Sequence, residues 1–524
     1  MSGTQPARDY YRYCPGEEQI KISNAICRGR RHAHYPKCPG CQFNDDEKNA
    51  SPHSPGQDKA RTDALIESLF RPHDILGMYP SPLSTDAAWR IGHACGQYLH
   101  GRLRGFDRAN PSSRSLIVGR DNRPHSEEIE KSLIAGVQST GIDVVRVGVV
   151  DTPQLYFAVN HFGACGGVQV TGGRHPIEFG GFKVCAAKAF PIASETGLHS
   201  IRDMAVRVPQ HRTGVSALLT ALDLSGPYRD FLLRALTGGP RMPRPVKIVV
   251  DAGGGVAGDW FQKVFGFVAS LEIIPLNFEL PAEKDRDGEL LSPLPGPELR
   301  KLVKEHRADF GVRFDGDADR CQFIDEKGLP IPVDLLAALL ARRFIEREPG
   351  ACVVFDHRFS TAAFEEIHRV GGVAARERVG HVFIKKTMND RQAVFGADLS
   401  GRHLFRDAGY CENALLGVAH VINLLIETGR KLSELVRPLA KYRTSGEVFL
   451  RCDDPEQTLK DIAAAHHEAE IEYLDGVTVR YPDWWFNARP IGGQAELNLT
   501  IEARTKKLVD EHLGELQRQI DAKG

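Results

Sequence analysis

Two stretches of this chain carry residue types whose spacing could do chemistry. The first is "DGDADR" at residues 315–320, which sets Asp315, Asp317 and Asp319 at alternate positions with small residues between them. A short turn can aim all three carboxylates at one point. Carboxylates so close together repel unless a hard cation neutralises them, and oxygen donors favour Mg²⁺ or Ca²⁺. Arg320 follows directly and suits a phosphate. The stretch therefore reads as the Mg²⁺ loop of a phosphoryl-handling protein. An EF-hand loop also begins D-x-D-x-D and ends on a twelfth-position glutamate, which Glu326 supplies. Its sixth position must be glycine for the sharp turn, and here it is Arg320. The flanks "DFGVRF" and "CQFIDEKGLPI" read as strands around an E-K-G turn, not as helices. An acidic surface loop without metal is the plain alternative.

The second stretch is "QVTGGRHPIEFGGFKV", residues 169–184, a strand, a glycine-rich loop and another strand carrying Lys183. Such loops present a nucleophile or cradle a phosphate. Here Gly172 and Gly173 put bare backbone where a nucleophile would stand, with Arg174, His175 and Pro176 following.

A third cluster lies near the N-terminus, where Cys14, Cys27, Cys38 and Cys41 fall in the first forty-one residues. "CPGC" offers two thiolates on a tight turn, half of a tetrahedral Zn²⁺ site, and Cys14 and Cys27 are candidates to complete it, with His32 and His34 in reserve. The spacing matches no standard zinc pattern, so thiols in a disordered leader are the other reading. Residues 46–62, rich in Pro, Ser, Asp and Lys, read as a linker.

Behind these loops, strand and helix patterns alternate. "SLIVGRD", helical "SEEIEKSLIAGVQSTG" and "DVVRVGVV" form one block. "VKIVVDAGGG" leads through a helical stretch to "SLEIIPL", and the same grammar returns in "GACVVFDHR", "TAAFEEIHRVGG" and "VAARERVG". Strand–helix–strand units of this length imply parallel or mixed sheets packed on helices. Three such blocks point to a repeated domain plan, and the last eighty or so residues, with "AELNLTIEA", read as a smaller α+β domain.

The chain has 524 residues, too many for one core, with 42% hydrophobic and 26% charged residues. A formal charge of -1 supplies no basic field, so nucleic acid is not an expected partner. No apolar run approaches the ~20 residues of a membrane helix, and the polar N-terminus lacks a signal-peptide core. Eleven scattered cysteines suit a reducing compartment, so a cytoplasmic location is expected.

With the "DGDADR" loop in place, the chain resembles the α-D-phosphohexomutases, the phosphomannomutase and phosphoglucomutase family, over roughly residues 66 to 510. "VGRDNR" at 118–123 resembles a strand end that sets Arg120 and Arg123 near the catalytic loop, which implies a catalytic role for Arg120 and a substrate contact for Arg123. "VGHVFIKK" resembles a loop whose Gly380, His381 and Lys385 would contact substrate. The resemblance implies four domains, three alike and one distinct, with Mg²⁺ as cofactor and hexose phosphates as substrates. Phosphate would pass between C1 and C6 through a bisphosphate and a phosphoserine. It places a Cys-rich leader at 1–45, α/β domains at 63–221, 222–330 and 331–440, and an α+β domain at 441–524.

The departures fall on the loops. The family's T-A-S-H-N-P is Thr171-Gly172-Gly173-Arg174-His175-Pro176 here, so the nucleophilic serine is Gly173, which has no oxygen to phosphorylate. The phosphoserine is also a metal ligand in the family, and that contact is lost with it. His73 and Leu76 replace a tyrosine and an arginine. In the sugar loop, G-E-x-S-G-H, Asp398 replaces the glutamate, Ser400 remains and Arg402 replaces the histidine. In the phosphate loop, "RPIGGQA", Arg489 survives, Ile491 and Gly493 remove two hydroxyls, and the backbone of Gly492 and Gly493 is left to cradle phosphate. The expectation is a phosphohexomutase scaffold without phosphoserine turnover, a pseudoenzyme that binds a sugar phosphate or a partner. The alternatives are an active enzyme using His175, Thr171 or direct metal assistance, and a scaffold that meets a protein partner through a zinc-bound leader.

Overall fold

The apolar runs become strands, and among the described residues all but one short pair of them gather into four sheets. The computed structural model describes residues 11–14, 20–23, 26–27, 29–30, 38, 55–102, 111–208, 217–279, 295–491 and 495–521. The chain divides into two units, Met1–Val150 with Ala158–Asp223 and Asp151–Phe157 with Leu224–Gly524.

In the first unit, Ser115–Arg120 pairs in parallel with Asp143–Val149 on one side and Gly166–Val170 on the other. Phe179–Ala186 returns antiparallel beside Gly166–Val170, Ile75–Met78 follows it, and Leu219–Ala221 forms the opposite edge. Helices Thr85–Gly101 and Ser126–Gln138 bury Ile91, Leu99, Ile129 and Leu133 against Leu116, Val118, Val168 and Phe182 of the sheet. Each such side chain contributes roughly 1.5–3 kcal/mol by leaving water. Ser84 starts the first helix by accepting the Ala87 N–H at 3.1 Å.

The linker expected at 46–62 is corrected over its second half, where a helix runs Pro55–Glu67. Its polar composition disguised it, because a helix resting on a core through few residues needs little apolar surface. Ile66 and the following Leu69 join the same core as Ile201 and Ala205. Further upstream, Tyr11–Tyr13 pairs antiparallel with Lys21–Ser23.

The second unit holds three sheets. Val246–Asp251 pairs in parallel with Leu271–Leu276 and Phe310–Phe314, and Cys321–Asp325 returns antiparallel. Cys352–Asp356 pairs in parallel with Val373–Glu377 and Phe395–Ala397, and His403–Phe405 returns antiparallel, followed by Cys411–Glu412. The last sheet is antiparallel throughout and packs on helices Pro455–Ala465 and Lys506–Asp521.

A common plan runs through the first three large sheets. In each, a parallel strand passes through a short loop into an antiparallel neighbour. Those loops span residues 171–178, 315–320 and 398–402, which hold the glycine stretch, the aspartate stretch and the Asp398–Arg402 loop. No helix among the described residues is long and apolar enough to cross a membrane.

Candidate active site

In the first unit, the glycine loop is held by two side chains from the end of Ser115–Arg120. Asp121 accepts the N–H of Gly172 at 3.2 Å, the N–H of Arg123 at 3.1 Å and the Ser126 hydroxyl. Arg123 is buried and spends all five donors locally. Its Nη1 donates to the carbonyls of Pro176 (2.6 Å) and Phe179 (2.8 Å), and its Nη2 to those of Gly173 (2.8 Å) and His175 (2.7 Å). Its Nε pairs with Asp121 at 3.1 Å. A Cβ at Gly172 would lie 2.5 Å from this guanidinium, so only glycine fits there. Gly173 follows at φ +54, a left-handed conformation that suits glycine. Its N–H donates to the Thr171 hydroxyl at 2.9 Å. Arg123, expected at a ligand, therefore serves the loop backbone. Arg174 is exposed and His175 half-buried on the same loop. Arg120 lies 3.3 Å from the buried carboxylate of Glu130.

In the second unit, the aspartate loop joins Phe310–Phe314 to Cys321–Asp325, and carboxylate oxygens of Asp315, Asp317 and Asp319 all lie within 4.8 Å of one another. Arg320 Nη1 bridges Asp315 at 2.7 Å and Asp319 Oδ1 at 3.2 Å. Asp317 Oδ2 accepts the Thr152 hydroxyl at 2.9 Å. Burial, with mutual repulsion added to it, pushes Asp315 well above the usual carboxylate range. The same happens to the fully buried Asp151, a carboxylate near the triad that sequence reading missed. Its only signal was position, since "VVDTPQ" follows a strand with an acid whose carboxylate accepts the Gln154 N–H at the start of the next helix.

The loop 398–402 docks on the aspartate loop. The Cys321 N–H donates to the Gly401 carbonyl at 3.0 Å, and a Cβ at Gly401 would come within 2.7 Å of the Cys321 carbonyl. Asp398 Oδ1 accepts the backbone N–H and the hydroxyl of Ser400, at 2.9 and 2.5 Å, and the N–H of Arg402 at 3.3 Å. Its Oδ2 faces Arg402 Nη1 at 3.3 Å. The shorter acid thus organises its own loop with both oxygens. Arg402 Nη2 and Nε reach Asp319 Oδ2 at 3.0 and 3.3 Å. Burial opposes the Arg402 charge, yet Asp319, Asp398 and Glu412 outweigh it and hold the guanidinium firmly protonated.

Lys385 is buried in helix His381–Arg391 and donates to Cys411 Sγ at 2.7 Å. Gly380 caps that helix and His381 opens it. Arg489 lies in Trp484–Pro490, 3.6 Å from Glu447, which also binds the buried Arg358. Gly492 and Gly493 lie outside the described residues, as does Cys41. Among the described residues, the aspartates form the one group of three that could hold a metal, and Cys14, Cys27 and Cys38 do not form such a group.

Family models for phosphoglucomutase/phosphomannomutase α/β/α domains I, II and III match residues 67–208, 227–328 and 332–442 in that order. The phosphomannomutase of Salmonella montevideo is 32% identical over 449 residues, covering 83% of this chain and 95% of its own. This chain belongs to the phosphoglucomutase/phosphomannomutase family. The phosphohexose mutases of Xanthomonas campestris are also 32% identical, over 448 residues, covering 83% of this chain and 95% of theirs. Among solved structures, a family protein from Burkholderia thailandensis superposes with a TM-score of 0.76 at 25% identity, covering 87% of this chain and 98% of its own. The pp63/parafusin of Paramecium shares the fold at a TM-score of 0.66 and 15% identity, over 86% of this chain and 94% of its own. The four-domain phosphohexomutase architecture is therefore that of this chain, three α/β domains followed by the antiparallel C-terminal one.

Proposed function

We propose that this chain is a phosphohexomutase-fold protein that binds a hexose phosphate and lacks phosphoserine turnover. One observation carries the reading. Gly173 takes the place of the family's nucleophilic serine, at φ +54, in a loop whose Asp121–Arg123 scaffold is complete. The loop is held firmly and offers no side-chain oxygen at position 173. Thr171, the nearest hydroxyl, is buried and already accepts the Gly173 N–H, which makes it a poor substitute.

The inward turn of Asp398 supports the same reading, because a carboxylate with both oxygens used inside its loop offers little to sugar hydroxyls. Arg320 and Arg489 remain as phosphate partners. Three converging carboxylates fit a hard divalent cation. Mg²⁺ held by Asp315, Asp317 and Asp319 would supply positive charge to a phosphoryl oxygen. The proposed domain limits are 63–221, 222–330, 331–440 and 441–524.

The test is ³¹P NMR of the wild type and Gly173→Ser with Mg²⁺, mannose or glucose 1-phosphate and the matching 1,6-bisphosphate. The wild type should leave the 1-phosphate unchanged, and Gly173→Ser should gain slow conversion to the 6-phosphate. Conversion by the wild type overturns the proposal and directs attention to His175, where phosphorus would then be found by mass spectrometry.

A further inference from the structure

Asp319 lies between two guanidinium groups. Its Oδ1 faces Arg320 at 3.2 Å, and its Oδ2 faces Arg402 at 3.0 and 3.3 Å. Arg320 belongs to the family's metal loop, whereas Arg402 stands where the family has a histidine. The guanidinium of Arg402 is buried, and Asp398 (3.3 Å) and Glu412 (3.9 Å) hold it from other sides. The Gly401–Cys321 contact fixes the backbone that carries it. A cation approaching the triad must therefore share Asp319 with a permanent positive charge that has no room to withdraw. Arginine stays charged at every physiological pH, unlike histidine.

We propose that Arg402 is a resident countercation of the aspartate loop. It partly neutralises the carboxylates that Mg²⁺ would neutralise, so it lowers their affinity for divalent cations and lets the loop fold without one. This rests on the reading of residues 315–319 as a cation loop. The substitution at 402 therefore touches the metal as well as the sugar, and it joins the loss at Gly173 as a second change in the chemistry of this chain.

The experiment is calorimetric titration of the full chain with Mg²⁺, and with Mn²⁺ followed by electron paramagnetic resonance, alongside thermal melting with and without Mg²⁺. Arg402→His should bind at least tenfold more tightly than the wild type, and Arg402→Lys, which keeps the charge, should remain weak. Adding Asp317→Asn to Arg402→His should abolish the gain. Mg²⁺ should raise the melting temperature of Arg402→His far more than that of the wild type. Should Arg402→His fold only with cation, the midpoint of Mg²⁺-driven refolding gives its affinity. Failure to refold at any Mg²⁺ concentration overturns the proposal, since the cation is expected to take over the charge. Equal affinity in wild type and Arg402→His overturns the role of Arg402 alone. Binding no better than that of Asp317→Asn in every protein overturns the cation loop as well.

Discussion

Replacing Arg123 with lysine should loosen the glycine loop of the first unit instead of weakening a ligand contact. Arg123 makes five contacts, four to carbonyls between Gly173 and Phe179 and one to Asp121. Lysine has three donors on one nitrogen and cannot span a fork of four carbonyls, so at least two contacts are lost. A hydrogen bond from a charged donor is worth ~1.5–3 kcal/mol, which sets the loss at about 3 kcal/mol or more. In a folding unit of this size each kcal/mol moves Tm by roughly 2–4 °C, so a fall of roughly 6–12 °C is expected. Differential scanning calorimetry reads the shift, and limited proteolysis should show faster cleavage within residues 171–178 of the variant. A Tm within about 2 °C of wild type, under one kcal/mol, would refute the reasoning. Weaker sugar phosphate binding at unchanged Tm would return Arg123 to the ligand.

Gly173→Ser should fold with only a small loss, about 1 kcal/mol, because serine at φ +54 is strained but not forbidden, and denaturant unfolding checks this. Gly401→Ala should cost more, about 2 kcal/mol or above, since φ +96 and a Cβ 2.7 Å from the Cys321 carbonyl add together; the same assay should show the larger drop. Burial raises Asp334 to about 6 from an ordinary 3.8, so the folded protein keeps a proton that the unfolded chain releases between those values. Its contribution therefore falls as pH rises through that window, by about 3 kcal/mol in full. The stability of Asp334→Asn minus wild type should be near zero at about pH 4 and reach its maximum above about pH 6, read by denaturant unfolding across pH.

Local signals were the legible ones. The aspartate loop could be read because its three acids sit within five residues and its flanking strands have strand composition. The strands and helices of the α/β blocks followed from apolar runs that are buried on forming. What sequence hides is the direction of a side chain once the chain closes on itself. Arg123 read as a substrate contact beside the catalytic loop, yet its guanidinium is taken up by the carbonyls of 173–179. Asp398 read as a sugar contact, yet its oxygens are taken up by Ser400 and Arg402 of its own loop. Arg402 and Asp319 are 83 positions apart, and no periodicity connects them. Helix Pro55–Glu67 was missed for the opposite reason, since its composition is that of solvent-facing chain.

The glycine loop, the aspartate loop and loop 398–402 each sit at the turn between a parallel strand and its antiparallel neighbour. Register on both sides of such a turn is fixed by pairing and burial within the sheet, not by the residues at the tip. The residues at these tips can therefore be exchanged without disturbing the sheets, at a cost confined to local contacts such as those of Gly173, Gly401 and Arg402. Under the function proposed above, loss of phosphoserine turnover would be a change at one loop tip and not a change of fold. On that reading, a single codon at Gly173 would return a hydroxyl to a loop whose flanking strands stay paired as they are.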